Sequence, residues 1–167
     1  KGNITYTEGK KGKAYQGGQG TYVFIPPRTA RFAGEISLKD TIANLGSFTV
    51  AFWMNSPQGN KGTGVFSIPN TKKFWGNLDI FLDDNSTAGE GRFKMHLFNG
   101  TEERWVETKI PGTIDDWVFM TFRYNHKTEM LHIFKNGEIV FTRALTGWGR
   151  IVYNNMGDLV LGTYGFQ

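Results

Sequence analysis

The chain has 167 residues, no cysteine, and a formal net charge of +4 from 19 basic and 15 acidic side chains. Its length suits one domain with a core that needs no staples, and the lack of cysteine excludes disulfides, thiolate zinc sites, iron–sulfur clusters and thiol catalysis. The basic excess gathers at Lys1, Lys10, Lys11, Lys13, Arg28 and Arg31 without any recognition motif, so no nucleic-acid partner is expected; no apolar run approaches the ~20 residues of a membrane span, so no direct membrane insertion is expected either.

Short apolar-alternating runs divided by Gly, Asn, Asp and Pro recur throughout, and none keeps a helical period, which predicts an all-β chain. In chain order the expected strands are Ala14–Tyr15, Thr21–Ile25 ended by Pro26-Pro27, Ser47–Asn55, Val65–Ile68 and Leu78–Asp83. Arg92–Phe98, Trp105–Thr108, Trp117–Tyr124, a hairpin about Asn136-Gly137, and Asp158–Thr163 follow. Turn signals at these intervals suit a sandwich.

Alternation assigns faces. Phe48, Val50, Phe52 and Met54 share one side of their strand, with Trp53 on the other. Leu78, Ile80 and Leu82 oppose Asp79, Phe81 and Asp83; Phe93, Met95 and Leu97 oppose Arg92, Lys94, His96 and Phe98. The polar sides mix charge with single aromatics, a pattern that suits a sugar-facing sheet and equally an ordinary solvated one. In the hairpin, an Asn-Gly loop suits a type I′ turn. That turn predicts Lys135 opposite Glu138, Phe134 opposite Ile139, His132 opposite Phe141 and Met130 opposite Arg143. Both faces of the hairpin carry apolar residues, so a second, partly covered surface is expected.

Four segments, GKAYQGGQGTYVFIPP (Gly12–Pro27), SFTVAFWMNSP (Ser47–Pro57), DDWVFMTFRYNHKTEMLHIFKNGEIV (Asp115–Val140) and DLVLGTY (Asp158–Tyr164), give the chain a family likeness. In order and spacing it resembles laminin-G-like domains of the concanavalin A-like lectin/glucanase superfamily. FWGNLDIFLDD (Phe74–Asp84) is similar to a bacterial branch found in surface lipoproteins of Bacteroides-type organisms. The resemblance implies one domain over residues 1–167, a jelly-roll sandwich of two curved antiparallel sheets that mostly binds glycans or proteins. It also implies export, to the periplasm, outer-membrane surface or extracellular space, although the first residues do not form a signal peptide. Family members usually continue past the LGTY-like strand into a closing strand. This chain stops at Gln167, so either that strand is lacking or the amino-terminal strand pairs elsewhere.

The same superfamily contains retaining glucanases with a Glu-x-Asp-x-x-Glu strand, whose outer carboxylates lie ~5 Å apart as nucleophile and acid/base. The comparable segment here, Asn77 to Leu82, has an amide and an alkyl group in those places. His96, His126 and His132 lack metalloprotease spacing, no serine lies in G-x-S-x-G, and the glycine-rich stretches fit no phosphate loop. The expectation is therefore a non-catalytic, lectin-like module with a glycan partner, or alternatively a structural or protein-interaction domain.

Of the five tryptophans, Trp117 begins a core strand and reads as structural. Trp53, Trp75, Trp105 and Trp148, with Asp79 and His96, are the candidate glycan contacts, because indole faces stack on pyranose rings while polar neighbours take hydroxyls. Each tryptophan can equally cap the core. No cofactor is required; calcium is the one candidate ion, with Asp83, Asp84, Asn85 and Glu90 as oxygen ligands, unless DDNSTAGEG is only a polar turn. Asn3, Asn85 and Asn99 begin N-x-S/T sequons, which the bacterial resemblance implies are unmodified.

Overall fold

The computed structural model describes residues 5–17, 22–25, 45–56, 63–83 and 90–162. Its first strands are β1 (Thr5–Glu8), β2 (Lys13–Gln16), β3 (Val23–Ile25), β4 (Phe48–Met54), β5 (Gly64–Ile68) and β6 (Leu78–Leu82). β7 (Glu90–Phe98), β8 (Glu103–Thr113), β9 (Val118–Asn125), β10 (Met130–Lys135), β11 (Glu138–Ala144) and β12 (Leu159–Leu161) follow. β1 and β2 form their own ribbon. A four-stranded sheet runs β11-β10-β9-β4, and a six-stranded sheet runs β3-β12-β5-β6-β7-β8. Every pairing is antiparallel.

The core lies between the two larger sheets. From the six-stranded sheet come Leu78, Ile80, Leu82, Phe93, Met95, Leu97, Val106 and Ile110; from the other come Phe48, Met120, Phe122, Tyr124, Leu131 and Ile133. Each such burial contributes about 1.5–3 kcal/mol before the cost of ordering the chain. Phe93 meets Phe122 edge-on at 5.2 Å, so the layers touch directly. The segment after β11 closes the core with Leu145, Trp148, Ile151, Tyr153 and Met156.

Asn136 and Gly137 adopt φ of 54° and 91°, as the type I′ turn requires. Lys135 pairs with Glu138 and Phe134 with Ile139, as expected, but the register then shifts between Ile133 and Phe134. His132 consequently faces Thr142, not Phe141, and Met130 faces Ala144, not Arg143. A bulge places an extra residue on one strand, and here it keeps Leu131 and Ile133 in the core while both Val140 and Phe141 pack against it.

Two other elements depart from the alternation pattern. β1, too polar to read as a strand, pairs with β2 from Thr5↔Gln16 to Glu8↔Lys13. β8 extends past the expected Trp105–Thr108 at both ends and runs through Pro111. Proline is tolerated because β8 is the edge strand of its sheet, with no ladder partner on its far side among the described residues. Lys135 spans from the other sheet, its Nζ donating to the carbonyls of Pro111 at 3.1 Å and Thr113 at 2.8 Å.

Candidate functional site

On the outer face of the six-stranded sheet, cross-strand pairing aligns Ser67 of β5, Asp79 of β6, His96 of β7 and Trp105 of β8. The adjacent row carries Gly64, Phe81, Lys94 and Glu107. Alternation thus delivers to one surface residues that are distant in the chain.

The loop between β5 and β6 folds back over this surface. Gly76 N–H donates to Asp79 Oδ2 at 2.7 Å, and the Ser67 hydroxyl donates to Asp79 Oδ1. A Cβ at Gly76 would crowd Asp79 and the Ile68 carbonyl, so this close approach needs glycine. The Asn77 amide ties the loop down by donating to Pro69 O at 3.1 Å and Asn154 O at 2.9 Å. These bonds satisfy buried polar groups and set Phe74 and Trp75 against the sheet.

Trp75 stacks on Phe81 at 6.1 Å and 9°, stands edge-on to Trp105 at 4.6 Å and to Phe74 at 4.9 Å, and lies 5.9 Å from the His96 ring. Trp105 also meets Phe81 at 5.9 Å and His96 at 4.9 Å. Phe81 and His96 are buried and Trp75 is half-buried, but Phe74 remains 64% and Trp105 38% exposed. An apolar platform therefore faces solvent from a rigid base.

Charged groups surround it. Lys94 Nζ lies 3.2 Å from Asp83 and 3.5 Å from Glu107, Lys109 lies 2.7 Å from Glu90, and Arg92 lies 3.6 Å from Glu90. Lys73 Nζ donates to Glu103 at 2.9 Å. That bond, aided by the nearby His96 and opposed by partial burial, holds the Glu103 carboxyl below its usual range. Buried His96 lies between two carboxylates, Nδ1 at 3.5 Å from Asp79 and Nε2 at 3.4 Å from Glu103.

Of the sequence candidates, Trp75, Trp105, Asp79 and His96 converge here, with Asp79 and His96 supporting the platform from beneath. Trp53 does not join them: it lies on the outer face of the four-stranded sheet, against Phe119 at 5.3 Å with Lys10 Nζ 5.5 Å from its ring. Trp148 is corrected from glycan platform to core residue. It is only 3% exposed, with the Arg104 guanidinium 4.6 Å from its ring. Phe74, Lys73, Glu103 and Glu107 were not anticipated. The alternation Glu103, Trp105, Glu107 carries the signal, and the expected strand started too late to include its first member.

For calcium, Asp84 and Asn85 lie outside the described residues. Asp83 and Glu90 do not fit as free ligands, since each already faces a side-chain cation. No group of three or more His, Cys, Asp or Glu placed to hold a metal occurs among the described residues. Leu82, at the acid position of the glucanase motif, points into the core, and Asn77 is engaged by carbonyls. Ser47 and His126 are joined at 2.8 Å through Nδ1, but His126 Nε2 faces Arg150 at 3.4 Å.

Two antiparallel sheets packed face to face, the larger with an aromatic and charged outer surface, define an all-β jelly-roll sandwich. The chain belongs to the concanavalin A-like lectin/glucanases superfamily, whose laminin-G-type model matches residues 18–165. No curated protein matches the sequence. Among solved structures, it is similar to the carbohydrate-binding module of a Ruminococcus gnavus sialidase, determined with α2,3-sialyllactose. Identity is 16% and the TM-score 0.58, over 75% of this chain and 72% of that one. Domain 4 of an extracellular arabinanase from Geobacillus stearothermophilus, in complex with arabinotriose, gives 17% and 0.60 over 100% and 69%. The binding domain of Paraclostridial Mosquitocidal Protein 1 gives 13% and 0.66 over 98% of this chain but 38% of that domain. At these identities the likeness carries the fold.

Proposed function

We propose that this chain is a non-catalytic, lectin-like module that binds carbohydrate on the outer face of its six-stranded sheet. The observation that carries the reading is Trp105, an exposed indole braced by Trp75, Phe81 and His96 and flanked by the charged pairs Lys73–Glu103 and Lys94–Glu107. Such a surface stacks on a sugar ring and hydrogen-bonds its rim at low entropic cost, because the platform is already ordered. The glycans seen with structural neighbours of the same fold support this use of it. The resemblance to surface lipoproteins of Bacteroides-type organisms extends the proposal to a module of an exported bacterial surface protein.

A thermal-shift screen with plant and host oligosaccharides tests it. A ligand at ~100 times its Kd adds about 2.7 kcal/mol, a rise of roughly 5–11 °C for a chain of this size. No shift with any saccharide, at concentrations up to tens of millimolar, would overturn carbohydrate binding.

A second reading, a protein-interaction domain, draws on the opposite face, where Trp53 is 42% and Ile139 59% exposed. Loss of a partner on Trp53→Ser, with saccharide binding unchanged, would assign that role to this face.

A further inference from the structure

Along β8, Glu103, Trp105 and Glu107 alternate onto the same face, so the exposed indole stands between two carboxylates. Glu107 is the open one, its side chain 68% exposed. The cations on β7 and β8 are otherwise engaged. Lys94 lies against Asp83 and Glu107, Arg92 and Lys109 against Glu90, and Arg104 over the Trp148 ring; from the loop, Lys73 bonds Glu103. Asp79, buried in the row beneath the platform, adds a further carboxylate.

We propose, resting on the carbohydrate reading above, that this face selects uncharged, hydroxyl-rich sugars and rejects acidic ones such as sialylated or uronic-acid glycans. A sugar carboxylate on Trp105 would sit beside Glu103 and Glu107 and would have to compete with them for Lys73 and Lys94. Like-charge juxtaposition at a binding surface is strongly discriminating. A neutral ring has no such conflict. Its hydroxyls donate to the same carboxylates and accept from the same ammonium groups, so pairs that repel an acid serve as a ready hydrogen-bonding rim.

The test compares matched ligands by calorimetry on the intact chain: lactose with 3′-sialyllactose, galactotriose with trigalacturonic acid, and xylotriose with its glucuronic-acid-substituted form. The expected result is that the neutral member of any bound pair binds at least about tenfold tighter. The gap should narrow in 0.5 M salt, where the Debye length falls to about 4 Å, and narrow again in Glu107→Gln, an exposed substitution that leaves the fold intact. Tighter binding of the acidic members would overturn the selectivity while leaving carbohydrate binding in place. A gap that neither salt nor Glu107→Gln changes would overturn its electrostatic origin. Failure of every ligand, neutral and acidic alike, would overturn carbohydrate binding itself and the selectivity with it.

Discussion

Trp75 stands edge-on to Trp105, with ring centroids 4.6 Å apart and planes at 89°. One ring comes from the loop that Asp79 anchors and the other from an edge strand of the same sheet. The pair divides two roles that a sequence does not distinguish: Trp75 is half-buried support and Trp105 is the exposed platform.

Trp105→Ala is accordingly expected to weaken saccharide binding tenfold or more while lowering the melting temperature by only a few degrees. Trp75→Ala, which strips the stacking partner of Phe81 and the edge contact to Trp105, is expected to cost about 2 kcal/mol of stability as well. Calorimetric titration beside urea unfolding separates the two. Equal stability losses would mean that neither ring is specialised.

Asp79 is fully buried and accepts from Ser67 and from Gly76 N–H. Asp79→Leu leaves those donors without an acceptor, at roughly 2–4 kcal/mol, and frees the loop that carries Phe74 and Trp75. Reduced denaturation midpoint and faster amide exchange at Gly76 are the expected observations. Native-like exchange there would remove Asp79 as the anchor.

Gly91 lies where the β7–β8 register shifts, and a Cβ there would overlap the Ile110 side chain. Gly91→Ala should destabilise by about 1–3 kcal/mol through overpacking. Adding Ile110→Val should recover part of the loss, a non-additivity that urea unfolding of the four cycle members would reveal.

The Tyr124 hydroxyl donates to the Gly149 carbonyl at 2.6 Å. Burial, with Glu129 nearby, pushes its pKa up from 10.0 to about 12. The folded state therefore holds this proton more tightly than the unfolded chain. The resulting stability is present below pH 10 and is lost as pH rises from 10 to about 12. Tyr124→Phe should unfold about 1 kcal/mol more easily at neutral pH and show a shallower alkaline loss than the parent. Parallel alkaline profiles would contradict that assignment.

Much of the fold is written locally. The alternation of Phe93, Met95 and Leu97 with Arg92, Lys94 and His96 is the division between core and outer face, because successive strand side chains must point in opposite directions. Asn136-Gly137 specifies its turn for a similar reason, since few other pairs accept positive φ at both positions. The bulge near Val140 left no such mark: either register is compatible with the turn, and packing of both Val140 and Phe141 on the core selected one. The extension of β8 through Pro111 is likewise not marked locally, since a proline fits a strand only at a sheet edge and edge position is set by sheet order.

The site divides in the same way. Most of the strands, their faces and the supply of aromatic and charged side chains are legible in the sequence, because these follow from backbone geometry and short-range chemistry. Which tryptophans meet is set by long-range packing. Sheet order brought Trp75 and Trp105 together, put Trp53 on the opposite layer and sank Trp148 into the core. Those outcomes depend on which surfaces are covered by distant segments, and burial is a property of the packed chain that no local pattern encodes.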